Sequence, residues 1–305
     1  MAGKDLRQLY MRRFVGMTKY KKREGGTIVA LYLAQIMASV LAGHLLLAQP
    51  LTLGTGFLMA LVIIFIGTRL RGLNNIVHEC SHSTYCEDRQ DNVSMGRLCV
   101  SLLLGCFEEY KRDHLSHHAH LGDYDHDREM APIEDFGLHD PITPRTIMRH
   151  IMTPLLGRHL KTYSGINLSA SDGRFYLGLK IGLLAVMGLM LLTEPMTALL
   201  FVLFPLFYVL PTFNFWTDCL DHAGIVSHED ELDATRNVLA PAPIKLLFFP
   251  RNDCYHLVHH LFPQVPARHL EKAHEELSQH AAYRSKAAAM QPTHRTLTKL
   301  AAKAT

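Results

Sequence analysis

No two of the six cysteines, Cys80, Cys86, Cys99, Cys106, Cys219 and Cys254, stand in a C-x-x-C pair. That spacing excludes a zinc ribbon and a rubredoxin-like centre, and reduced thiols rather than a disulfide framework are expected. There is no four-cysteine cluster pattern, no flavin or nicotinamide fingerprint and no glycine-rich phosphate loop. A redox reaction here would therefore draw electrons from another protein. Charge is also scarce. Only 19% of the 305 residues are Asp, Glu, Lys or Arg, and a net charge of +3 is too mild to point to nucleic acid. Apart from a pairing of apolar segments, no internal repeat is present.

Four stretches hold the hydrophobicity. Residues 27–48 read "TIVALYLAQIMASVLAGHLLLA", 51–68 "LTLGTGFLMALVIIFIGT", 175–193 "FYLGLKIGLLAVMGLMLLT" and 196–213 "MTALLFVLFPLFYVLPTF". Each is near the ~20 residues needed to cross a bilayer as a helix. Buried helices of a water-soluble protein usually keep a polar stripe, and these barely do. Gln49-Pro50 separates the first two and Glu194-Pro195 the last two, which makes two helical hairpins. The turns carry no Lys or Arg. Lys4, Arg7, Arg12, Arg13, Lys19, Lys21, Lys22 and Arg23 precede the first span, and Arg69, Arg71, Arg97, Lys111 and Arg112 follow the second. This asymmetry predicts an integral membrane protein with both termini in the cytoplasm. The first span reads as no cleaved signal, because its run is long, a second span follows at once and no small-residue cleavage site is evident. The expected organisation is a basic segment 1–26, a hairpin 27–68, a cytoplasmic segment 69–174, a second hairpin 175–213, a second cytoplasmic segment 214–274 and a tail 275–305.

The cytoplasmic segments concentrate the histidines. "HECSH" carries His78 and His82 four residues apart, on one helix face. As H-E-x-x-H it matches the zinc-protease signature, with Glu79 as base. "HLSHH" carries His114, His117 and His118, and "HLVHH" carries His256, His259 and His260. In each of these boxes the i, i+3, i+4 spacing aims three imidazoles one way. His222 follows the fourth span, with Asp218 one turn before it. Nine imidazoles exceed the four ligands of one tetrahedral zinc and suit two metals. The second span extended to His82 is 32 residues, about 48 Å if helical, so the first box projects beyond a ~30 Å hydrocarbon core. The apolar run 98–107 is too short to cross and is expected to dip into the interface. A protease reading would leave seven organised histidines unexplained.

These three boxes, separated by a membrane hairpin, resemble those of the membrane fatty acid desaturase superfamily. "HHLFPQVP" at 259–266 and "GDYDHD" after the second box strengthen the likeness, which covers roughly residues 27–272. The resemblance implies an all-α membrane protein: four transmembrane helices in two hairpins, with a cytoplasmic helical part carrying a His-rich di-metal site. It implies two iron ions held by His78, His82, His114, His117, His118, His222, His256, His259 and His260. O2 would be co-substrate. Asp218 falls where acyl-CoA desaturases have an asparagine, so its role as a catalytic group stays open between ligation, hydrogen bonding and none. The three-residue gap in the first box and His256 at the head of the third suggest a compact bacterial member of the inner membrane. It would be fed by a ferredoxin- or rubredoxin-type carrier with its reductase.

The implied reaction is desaturation of a fatty acid or fatty acyl chain. Hydroxylation is an alternative, as is oxidative decarboxylation of a medium-chain free acid to a terminal alkene, with Arg112, Arg236 or Arg251 holding the carboxylate. An intramembrane zinc protease is the alternative of another class. Removing hydrogen from an unactivated methylene needs O2, two electrons and metals that change oxidation state, which imidazole-bound iron supplies and zinc does not. Asp113, Asp123, Asp127, Asp221 and Asp253 are candidates for orienting the imidazoles. The other histidines read differently: His44 near the far side of the membrane, His120 and His126 beside the second box, and His139, His150, His159, His228, His269, His274, His280 and His294 at the surface. Residues 143–163 read either as an interfacial amphipathic helix, with Arg145, Arg149 and Arg158 reaching headgroups and Pro154 kinking it, or as a helix packed on the cytoplasmic part. The Ala/Lys-rich tail is expected to fray at its end.

Overall fold

A computed structural model describes residues 2–226 and 230–289. His228 and His294 lie outside these residues, as does the end of the tail. Among the described residues the chain is helical, and pairing of extended backbone is limited to one isolated bridge, Tyr20 to Cys86. The described residues form two compact units, one drawn from 2–18, 112–158, 215–226 and 230–289, the other from 19–111 and 159–214.

The second unit holds most of the apolar sequence. Following α1 (Ala2–Phe14) come α2 (Lys22–Leu47) and α3 (Leu53–Ser81). Thr52 starts α3 by accepting from the Thr55 amide at 3.1 Å, since the first amides of a helix lack partners of their own. At 29 residues α3 is about 43 Å long, longer than a bilayer core, as expected from the sequence. The hairpin packs tightly at Gly72, where a Cβ would fall 2.2 Å from the Tyr32 ring. Then come α4 (Arg89–Leu102) and α5 (Phe107–His120). The apolar run 98–107 is therefore not one dipping segment. It is broken at Leu104, which has φ +60°, and Cys99, Ser101, Leu104 and Phe107 are buried against protein.

Between α5 and the third span lie α6 (Pro144–Leu155) and the single turn α7 (Leu160–Tyr163). The third span is α8 (Arg174–Thr193). The fourth begins as α9 (Pro195–Ala198), passes through two π-helical stretches, Leu199–Leu203 and Pro205–Val209, and ends as α10 (Leu210–His222). Pro205 has no amide hydrogen to donate, which breaks the regular ladder there. All four spans are long and apolar enough to cross a membrane. Leu41, Phe57, Ile181, Leu192 and Leu199 are among the large apolar side chains they leave exposed, which suits lipid rather than water. Lys180 is fully buried and donates to the carbonyls of Asn167 at 2.7 Å, Gly105 at 3.1 Å and Ser169 at 3.3 Å. That satisfies its three protons inside an apolar setting. His44 reaches Thr197 at 2.9 Å, both beside the hairpin turns.

The first unit is built around α11 (Glu231–Ala234), the short α12 (Ala242–Phe248), α13 (His256–Leu261), α14 (Leu270–Leu277) and α15 (Ala281–Ala289). Leu6, Tyr10 and Phe14 of α1 pack with Leu257, Leu261, Phe262, Leu277 and Tyr283 into one core. Tyr283 buries its ring completely, and its hydroxyl meets His274 at 2.8 Å and Asn237 at 2.9 Å. In α6, Met148, Ile151, Met152 and Leu155 stay exposed at helical spacing while His150 and Thr153 are buried. The helix ends after Pro154 and the chain turns at Gly157, φ +68°. Of its arginines, Arg149 is committed to Asp140 at 2.7 Å and the Gly137 carbonyl at 2.7 Å.

Candidate metal centre

Each box sits where a helix stops. His78 lies in the last turn of α3 and His82 caps it. Their rings meet edge to face, with centroids 5.4 Å apart. The chain turns sharply afterwards at Ser83, φ +58°. Buried Asn92 then fixes residues 85–88: it accepts from the amides of Cys86 at 2.9 Å and Tyr85 at 3.0 Å, and donates to the carbonyls of Cys86 and Asp88 at 2.7 Å. Glu79 is buried.

The second box occupies the last turns of α5 and the third fills α13. In the first unit, His117, His222, His256 and His260 bring one ring nitrogen each within 4.8 Å of one another. His114, His118 and His259 form a second convergence by the same measure. The contacts are close: His256 Nε2 lies 2.9 Å from His222 Nε2 and 3.0 Å from His260 Nε2, and His118 Nε2 lies 2.9 Å from His259 Nε2. His114, His117, His222, His259 and His260 are buried, while His118 and His256 are partly so.

Hydrogen bonding at the other ring nitrogen decides what these imidazoles can do. His117 Nδ1 lies 2.8 Å from Asp127 Oδ2, and His114 Nδ1 lies 2.8 Å from Glu129 Oε2. His222 Nδ1 lies 3.2 Å from the Ala234 carbonyl, and His256 Nδ1 lies 3.6 Å from Asp221. The partners of His117, His114 and His222 are acceptors within hydrogen-bond reach, so on each of these rings, when neutral, Nδ1 carries the proton and the Nε2 lone pair turns inward. Ring nitrogens crowded at 2.9–3.0 Å repel unless a proton or another cation lies among them. The donor set is thus one that an imidazole-binding transition metal fits.

Electrostatics favour the neutral ring at His260 and the charged one at His117. Burial holds His260 well below the usual imidazole range, and the neighbouring His118 and His256 add to the effect. At His117 burial also lowers the imidazole, but Asp127, Glu129 and Asp218 together outweigh it and the net shift is upward. Asp127 has no exposed surface, and its other oxygen accepts from the amides of Met130 at 3.0 Å and Glu129 at 3.1 Å. A single turn, Asp127-Arg128-Glu129, therefore supports one imidazole in each convergence.

Other expected groups are placed elsewhere. Asp113 pairs with Arg112 at 2.9 Å and Asp123 with His126 at 2.8 Å, so neither serves a box histidine by that bond. Arg236 donates to the Ala223 carbonyl. Asp218 is partly buried, and its carboxylate is not among the convergent ligand atoms, though its charge bears on His117. His150 and His159, expected at the surface, are buried. Glu129 and the Ala234 carbonyl were missed. The alternating acids of "DHDRE" were the available signal for the first, and sequence carries none for a backbone carbonyl.

Comparison with known proteins agrees with the geometry. The profile of the family Fatty acid desaturase matches residues 55–292. Dihydrorhizobitoxine desaturase of Bradyrhizobium elkanii is 26% identical over 258 residues, covering 76% of this chain and 71% of its own. Omega-3 fatty acid desaturase, chloroplastic, of Glycine max is 26% identical over 245 residues, 68% of this chain and 52% of its own. Fatty acid conjugase FAC2 A of Calendula officinalis is 25% identical over 245 residues, 69% of this chain and 65% of its own.

Proposed function

This chain belongs to the fatty acid desaturase family of membrane oxidoreductases, and on that premise we propose that it is an O2-dependent di-iron enzyme placing a double bond in an aliphatic acyl chain. The observation that carries the proposal is the convergence of one ring nitrogen each from His117, His222, His256 and His260, with the protons of His117 and His222 held outward by Asp127 and the Ala234 carbonyl. His114, His118 and His259 supply a second set, and the sequence pattern offers His78 and His82 of the first box as the remaining candidate ligands. Bound iron would supply the redox chemistry, with O2 and two electrons, that removes hydrogen from an unactivated methylene.

The chain's own residues orient and exclude. Asp127 and Glu129 hold two imidazoles in one tautomer and one direction. Burial of His117, His222, His259 and His260 keeps bulk water from the centre. Asp218, whose charge reaches His117, is proposed as the acidic group acting beside the metals. We place both ends of the chain in the cytoplasm, the topology in which one electron donor can serve all three boxes. That donor is a ferredoxin- or rubredoxin-type carrier with its reductase, because the chain carries no electron-entry cofactor motif.

Membranes holding the protein, incubated with free fatty acids of varied length, O2 and the carrier system, test the proposal by mass spectrometry. An unsaturated acid of unchanged length is expected. Labelled CO2 from a carboxyl-labelled acid, with no such product, would replace desaturation by decarboxylation. Zinc in place of iron, with proteolysis abolished by Glu79→Gln, would overturn the whole reading.

A further inference from the structure

The third box lies on a helix of only six residues, His256–Leu261. Such a helix cannot hold its own shape in isolation, and its last carbonyls lack intrahelical partners. Its end is tied by a residue far away in sequence. Arg7 of α1 donates from Nη2 to the His260 carbonyl at 3.0 Å and from Nε to the Leu261 carbonyl at 3.0 Å. The same guanidinium forms an ion pair with Glu231, the first residue of α11. At its other end, α11 presents the Ala234 carbonyl that accepts from His222 Nδ1 at 3.2 Å.

One side chain thus bridges the two short elements that back His222 and His260, both members of the four-histidine set. The planar fork of arginine suits this task. It can address two carbonyls and a carboxylate at once, which the single ammonium of lysine cannot do in the same directions. The helix that delivers Arg7 is anchored independently. Leu6, Tyr10 and Phe14 are buried in the core, the Gly3 amide donates to Asp230 at 3.1 Å, and Arg13 pairs with Glu276 at 3.2 Å. Residue 7 also lies outside 55–292, the region that matches the family.

We propose that Arg7 is a positioning residue for the metal site: through α11 and α13 it sets how His222 and His260 converge, without touching a ligand atom. The proposal rests on the reading that this histidine set holds iron.

The test uses the full chain in detergent, loaded with iron. It measures iron content, release of each iron to a ferrous chelator, and the Mössbauer spectrum. Arg7→Gln is expected to release one of two irons about ten-fold faster than wild type, the lower end of what lost supporting interactions do to metal sites. One iron signal should shift and the other stay. Arg7→Lys should recover only part of the loss. Arg13→Ala, which removes the exposed ion pair of the same helix, should behave as wild type. If Arg7→Gln does not fold, Glu231→Gln carries the test, because it loosens α11 alone while Arg7 keeps the two carbonyls. Wild-type release from both Arg7→Gln and Glu231→Gln would overturn the proposal. So would equal acceleration at both irons, shared by Arg13→Ala. A wild-type protein that holds no second iron would overturn the di-iron reading itself, and this inference with it.

Discussion

His117 Nδ1 and Asp127 Oδ2 lie 2.8 Å apart, and neither residue has appreciable contact with solvent. A buried carboxylate in that position fixes both the tautomer and the direction of the imidazole, and it raises the basicity of the inward nitrogen. Asp127→Asn keeps the shape and lets the amide present either an acceptor or a donor. Iron affinity should fall roughly ten- to a hundred-fold, with the fold retained. Titration of the iron-free protein with ferrous ion and a competing chelator checks it. Unchanged affinity would show that the bond is structural only. Glu129→Gln should do less, since Glu129 is partly exposed.

Alanine at any one of His78, His82, His114, His117, His118, His222, His256, His259 or His260 should nearly abolish turnover. His139→Ala should not, because that ring lies at the surface beside Tyr124. Product formation in membranes with matched protein levels decides this. Normal activity in His117→Ala or His259→Ala would remove the two-metal arrangement.

Acid stability should depend on His150. Burial pushes its imidazole down to about 4, against an ordinary value near 6.5. Between those values the unfolded chain takes up a proton that the folded chain refuses. This contribution is therefore fully present above about pH 6.5 and is lost as pH falls toward 4. His150→Phe, beside Phe215, should narrow the gap between thermal midpoints measured at about pH 7.5 and about pH 5. An equal gap in wild type and variant would exclude His150 as the source.

Topology gives a further test. A reporter at residue 305 should signal cytoplasm, and reporters inserted at Gln49 and Glu194 the far side. Near those two residues His44 and Thr197 meet at 2.9 Å, consistent with the two hairpin turns lying on one side. A cytoplasmic signal at Glu194 would break the assignment.

What the sequence determined by itself was local. Four apolar runs announce helices long enough for a bilayer, because span length and hydropathy are properties of contiguous residues. The spacing of His114, His117 and His118, and of His256, His259 and His260, fixes one face of one helix. The tertiary structure decided what spacing cannot encode. It sorted His117 with His222, His256 and His260 rather than with its neighbours His114 and His118, since a helix face says where a ring points and not what it meets. It chose the proton-bearing nitrogen of His117, His114 and His222 by supplying Asp127, Glu129 and the Ala234 carbonyl. It buried His150 and His159, whose surroundings come from residues distant in sequence. It also brought Arg7 to the carbonyls of His260 and Leu261 across more than 250 residues. No local pattern marks that contact, because a guanidinium reading backbone carbonyls leaves no signature in the residues it holds.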